Sequence, residues 1–163
     1  MLKLGRRVEY GLMALLHIAE LGQDELATNR EIAAAYNIPP EILGKVLQAL
    51  KRAGLAASTH GSKGGYRLGR PLGEITIGNV LEAVNGPLPV ASCAAGPGRG
   101  GCDQAGRCNI RLLVSQFRQR LADFVYRMPL SAARDEAWPA AGSEGTTTCL
   151  ARIPKRVKTR PLS

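Results

Sequence analysis

The chain has 163 residues, 45% of them apolar, four cysteines and a net charge of +9. That length supplies one packed domain plus an arm or tail, and the absence of any apolar run of about 18 residues excludes a membrane span. The positive charge suits a polyanion such as DNA, RNA or anionic lipid, although a merely soluble surface carries the same charge, so the decision falls to motifs.

Taken in chain order, the first stretch, "MLKLGRRVEYGLMALLHIAE", is interrupted by Arg6, Arg7 and Glu9. Val8, Leu12, Leu15, Leu16 and Ala19 recur at helical spacing, so it reads as an amphipathic helix from about Arg6 to Leu21 and not as a signal peptide. A cytoplasmic protein is expected. In "TNREIAAAY", Thr28 and Glu31 form a capping box that predicts a short helix over Asn29 to Tyr36. "NIPP" breaks that helix and places Pro40 in the first turn of a third, Pro40 to Arg52. Leu43, Val46, Leu47 and Leu50 form its inner face, Glu41, Lys45, Gln48 and Arg52 its outer one, and Gly54 its stop. "LAASTHGSKGGYRLGR" predicts a hairpin of about Leu55–Thr59 and Tyr66–Leu68 around a glycine-rich tip. Thr76 caps a fourth helix, "IGNVLEAVN", which ends at Gly86.

Beyond it, "SCAAGPGRGGCDQAGRC" holds Cys93, Cys102 and Cys108 among five glycines and almost nothing that builds a core. Ile110, Leu113, Val114, Phe117, Leu121, Phe124 and Met128 then step by threes and fours, predicting a helix from about Ile110 to Met128 of roughly 28 Å. That stripe suits a helix–helix seam with a second copy of the chain, the alternative being packing on its own domain. From Pro129 composition turns to Ala, Gly, Pro and Thr, and "RIPKRVKTRPLS" ends the chain with five basic residues and no acidic one. It reads as a disordered basic tail. The organisation expected is thus a DNA-binding unit over 1–86, a cysteine-rich loop over 87–109, a dimerisation helix over 110–128 and a tail over 129–163.

Three helices followed by a glycine-tipped hairpin is the order of a winged helix-turn-helix, a mainly α fold. A third helix held from behind by the first two presents its polar face to a major groove. Glu41, Lys45 and Gln48 are then the candidates for base edges, Lys63 at the wing tip for phosphate, and His60 for the minor groove. Taken singly, the same residues make an ordinary solvated face, and hairpin glycines are ordinary turn residues. The whole arrangement on a basic chain favours double-stranded DNA.

Clustered cysteines in a reducing compartment more often hold metal or do redox work than form disulfides. Eight and then five residues separate Cys93, Cys102 and Cys108. Three thiolates at that spacing can converge on one centre, and thiolates favour zinc or an iron–sulfur cluster. The spacing is not that of a zinc ribbon, and the residues alone leave the two open.

The stretches "RRVEYGLMALLHIAE", "TNREIAAAYNIPPEILGKVLQALKRAGLAASTHGSKGGYRLGRP" and "ITIGNVLEAVNGP" resemble the Rrf-type family of bacterial winged-helix transcription regulators, over about Met1 to Met128. "GSKGGYRL" is the most specific part. The resemblance implies a homodimer joined through the fifth helix and a palindromic operator. In the IscR- and NsrR-like branch of that family, three cysteines of this loop hold an iron–sulfur cluster, which implies Cys93, Cys102 and Cys108 as ligands here. One pattern in that branch adds a His shortly after the third cysteine. Here "CNIR" offers Asn109 and Arg111, and Arg does not ligate iron. Another pattern draws a carboxylate from the first helix, where Glu9 stands. Outside those patterns Glu9 is a solvated residue or a partner of Arg6. Asp103 and Cys149 are further candidates for the fourth ligand. Cluster type, [4Fe-4S] or [2Fe-2S], stays open, the carboxylate option leaning to four irons and to nitric oxide or oxygen as the signal.

No nucleotide-binding loop, Ser/His/Asp set or catalytic Cys–His pair is present, so an enzyme is not expected. The alternatives are a winged-helix regulator whose thiols bind zinc or are oxidised directly, and a small iron–sulfur redox protein.

Overall fold

The computed structural model describes residues 4–22, 25–61, 64–87 and 107–134. Among the described residues are five α-helices, α1 (Arg6–Glu20), α2 (Asn29–Tyr36), α3 (Pro40–Arg52), α4 (Ile77–Asn85) and α5 (Arg111–Arg127), and one small hairpin, β1 (Ala56–Thr59) and β2 (Gly65–Leu68). It is the mainly α winged-helix architecture expected from the sequence.

Local chemistry sets the boundaries. Thr28 Oγ1 accepts from the Glu31 N–H at 3.2 Å while Glu31 Oε2 accepts from the Thr28 N–H at 2.8 Å, which satisfies two orphan donors at the start of α2. Thr76 and Asn79 repeat the device on α4. Asn37 ends α2 in the left-handed conformation, φ 52°, which Asn tolerates better than most residues. Gly54, φ 70°, ends α3, with Gly54 N–H donating to Lys51 and Leu55 N–H to Leu50. Those two bonds form a Schellman motif, which turns the chain straight into β1.

The core is apolar throughout and lies where α1, α3 and α4 meet the base of the hairpin. Val8, Leu15, Ile32, Leu43, Leu47, Leu50, Leu55, Ile75 and Val80 are fully buried. α1 packs on α3 and α4, and α2 packs on α3. Asn29 Nδ2 donates to the Pro40 carbonyl at 2.9 Å and so ties the start of α2 to the start of α3. His17 on α1 meets Tyr36 on α2 edge-on, rings 5.6 Å apart, with Nδ1 3.3 Å from the phenol oxygen. Burial, and then the charge of Glu20, pushes the Tyr36 phenol pKa up. The hairpin pairs Ala56 with Leu68 through to Thr59 with Gly65, and Ala27, between α1 and α2, adds an antiparallel bridge to Tyr66.

The spans of α2, α3 and α4 match expectation. α1 stops at Glu20, one residue short, and α5 is one residue shorter at each end than the stripe implied. Pro129–Arg134 depart further, since composition had placed them in the tail. Pro129 bridges Thr76, Leu130 N–H donates to Ile75 O at 2.7 Å, and the Leu130 side chain is buried in the core. A short 3-10 turn over Leu130–Ala133 follows. These backbone bonds lock the C-terminal end of α5 to the start of α4. Alanine- and proline-rich composition did not reveal them, because the signal is a single leucine.

Candidate nucleic-acid interface and cysteine centre

α3 turns Leu43, Val46, Leu47 and Leu50 into the core, and the spacing of those four leaves Glu41, Lys45 and Gln48 exposed on the opposite face. Pro39 and Pro40 open the helix, and its N-terminal half is held by α2 through Asn29. The three sequence-predicted base readers therefore share one rigid, solvent-facing surface. Ile42, which the sequence reading left unassigned, joins them on the surface at 39% exposed. Its position one residue before Leu43 was the available signal, since the inner stripe already had its four members.

The hairpin projects beside α3. His60 follows β1 at the exposed tip, and Lys63 lies outside the described residues. The glycines of the tip differ in what requires them. A Cβ on Gly64 would lie 2.5 Å from Thr59 O, and one on Gly65 would lie 2.8 Å from Leu26 Cβ. These two positions are closed by the protein itself, whereas Gly61, φ 121°, faces open space.

Of the expected cluster ligands, Cys93 and Cys102 lie outside the described residues, as do Asp103 and Cys149. Cys108 is a half-buried free thiol three residues before α5. Glu9 is half-buried in the first turn of α1 and, among the described residues, pairs with neither Arg6 nor any other group. No set of three metal-ligating side chains converges among the described residues. Nor is any helix there long and apolar enough to cross a membrane.

α5 carries a contrast along its length. Val125 is buried and Tyr126 packs on α4, but Ile110, Leu113, Phe117 and Phe124 are all more than half exposed. Leu121 is half-buried between them. Of the predicted stripe, Val114, Leu121 and Met128 are half-buried by the described chain, and the other four stay open.

Residues 4–133 match the family model described as Rrf2, iron-dependent transcriptional regulator. The chain belongs to the Rrf2 family. It is 31% identical over 129 residues to the HTH-type transcriptional regulator IscR of Vibrio campbellii, covering 79% of this chain and 75% of that one. Among solved structures it superposes on the cysteine regulator CymR of B. subtilis with a TM-score of 0.61 at 23% identity, covering 83% of this chain and all of that one. It superposes on IscR of T. potens with a TM-score of 0.62 at 20% identity, covering 86% and 94%. These superpositions establish a shared winged-helix fold. The chain is therefore a winged-helix transcriptional regulator of the Rrf2 family, a class whose work is binding DNA and not catalysis.

Proposed function

We propose that this Rrf2 regulator acts in the cytoplasm as a homodimer on a palindromic operator and senses redox state, nitric oxide or iron–sulfur supply through a cluster. The observation that carries the reading is the donor set. Cys108 is a free, half-buried thiol at the foot of α5, two further cysteines stand within 15 residues before it, and Glu9 is a half-buried carboxylate without a protein partner among the described residues. Three soft thiolates and one carboxylate fit an iron–sulfur cluster. Cys93, Cys102 and Cys108 would hold it, with Glu9 as the fourth ligand, and when bound it supplies redox- and nitric-oxide-sensitive chemistry. Asn109 and Arg111 offer no alternative ligand after the third cysteine.

The protein's own residues do the rest. Glu41, Ile42, Lys45 and Gln48 face the major groove. Lys45 and Gln48 reach base edges, and Ile42 offers the apolar contact that suits a thymine methyl. Lys63 neutralises phosphate and His60 approaches the minor groove. The exposed stripe of α5 meets its copy, which sets the two reading helices at a fixed spacing. Glu9 sits on the helix that backs the DNA-reading helices, and Cys108 on the segment that leads into the dimer helix. A ligand set spanning both ties sensing to reading.

The test is a set of anaerobically purified variants. Cys93→Ala, Cys102→Ala and Cys108→Ala should each lack the visible chromophore. Glu9→Ala should retain some but lose it faster in air, with an altered spectrum, and Cys149→Ala should match the parent. A Glu9→Ala protein with the parental spectrum and decay rate, beside a colourless Cys149→Ala protein, would reassign the fourth ligand.

A further inference from the structure

A cavity of about 380 Å³ opens where the end of α3, the return from the hairpin and α4 meet. Leu55 and alanines of α3 and α4 form its apolar lining, and Arg52, Arg70, Asn79 and Glu82 its polar lining. The polar side is almost all donors. Arg70 Nε is buried and has no hydrogen-bond partner among the described residues. Neither Arg52 nor Arg70 has a carboxylate within ion-pair distance among those residues, even though Glu82 shares the cavity. The Oδ1 of Asn79 is taken by the Thr76 N–H in the α4 cap, which leaves its amide NH2 as a further donor. Glu82 is engaged elsewhere, accepting from Tyr126.

Buried donors are normally satisfied, and a guanidinium with a buried, unmatched Nε calls for an acceptor. Two guanidiniums and an amide are the complement of an oxyanion, since Arg pairs bidentately with carboxylate and phosphate oxygens. The volume lies at the small end of the range of ligand pockets, roughly 300–1,000 Å³, which fits a molecule of few heavy atoms. We propose that this cavity is a binding site for a small free oxyanion, a carboxylate or inorganic phosphate, held between Arg70 and Arg52. The site does not depend on the cysteine cluster. Every wall belongs to the DNA-reading unit, so a bound anion cross-links the end of α3, the hairpin return and α4. The negative Glu82 in the lining weakens binding and favours a singly charged ligand over a multiply charged one.

The test uses the full-length protein without DNA, with thermal unfolding and calorimetric titration at an ionic strength held fixed with chloride. The probes are acetate and inorganic phosphate, each up to about 10 mM, well below the concentrations at which excluded salts stabilise proteins generally. The expected result is a saturable rise in unfolding temperature with at least one probe. Acetate acting alone assigns a carboxylate ligand, and phosphate acting alone assigns phosphate. Arg52→Gln, at an exposed residue whose loss leaves the core intact, should weaken the apparent affinity at least fivefold, and Arg70→Gln at least tenfold. Glu82→Gln should tighten it. If Arg70→Gln fails to fold, Arg52→Gln and Glu82→Gln decide. No saturable rise with either probe overturns the site. So does an equal rise in the parent and Arg52→Gln.

Discussion

The Tyr126 hydroxyl donates to Glu82 Oε2 at 2.6 Å, and its ring lies so close over Gly78 that a Cβ there would fall 2.6 Å from the ring. One aromatic residue of α5 thus engages two successive turns of α4. Together with the Thr76–Pro129 bridge it fixes the last turns of α5. Gly78→Ala should therefore destabilise the chain by about 1–3 kcal/mol through overpacking. Paired with Tyr126→Ala, which opens the space, most of that cost should vanish, because the two sites share one contact. Urea unfolding of the two single variants and the double variant checks this, and strict additivity would show that the ring moves aside freely.

The same hydrogen bond shapes the alkaline limb of stability. It pushes the Tyr126 phenol up to about 12 from the ordinary 10.0, with burial and the Glu82 charge adding to it. The folded chain keeps this proton at a pH where the unfolded chain has lost it. The contribution is therefore complete below pH 10 and declines as pH rises from 10 towards 12. Absorbance titration of tyrosinate should show a late-titrating phenol that Tyr126→Phe removes. Tyr36, also raised, remains as a second late group in that variant.

Much of this fold was legible in the sequence because its signals are local. Thr28 with Glu31, Thr76 at the head of α4, Pro40 and Gly54 each set a boundary through chemistry within a few residues, and those boundaries match the structure. What escaped is what depends on distant partners. Leu130 looked like the start of a tail because the β-bridge that holds it is made with Thr76, over fifty residues earlier. Gly64 and Gly65 read as ordinary turn residues because the atoms that forbid their side chains belong to Thr59 and Leu26. Arg70 was not singled out, since its place in the cavity beside residues of α3 and α4 leaves no trace in spacing. Of the candidate site, the polar face of α3 was readable from periodicity. The cysteine centre rested on spacing and family resemblance, and two of its three thiols lie outside the described residues.

On the DNA face, two lysines should separate by role. Lys63→Ala should weaken binding to all duplexes alike and reduce the slope of log affinity against log salt by about one. Lys45→Ala should instead change the preferred sequence, by about 1–3 kcal/mol of discrimination if it holds a base edge. Selection from a random duplex library, followed by salt titrations, distinguishes the two. Parental behaviour of both would remove this face from the interface.

Phe117 is 54% exposed on the described chain, so replacing it with Glu costs the single chain little. In a dimer seam the same change, joined by Leu121→Glu, places unpaired charges between two apolar faces, on the order of several kcal/mol per dimer. The double variant should keep its helical circular dichroism and sediment as a monomer. A stable dimer would assign the stripe to another partner.

The central claim is that the three thiols of the loop hold an iron–sulfur cluster, and one measurement addresses it directly. The wild-type protein should be purified without oxygen and assayed for iron, acid-labile sulfide, zinc and visible absorption. A brown protein with iron and sulfide in about equal amounts, bleaching on exposure to nitric oxide or air, is the predicted result. A colourless protein that carries stoichiometric zinc, or no metal at all, would contradict it.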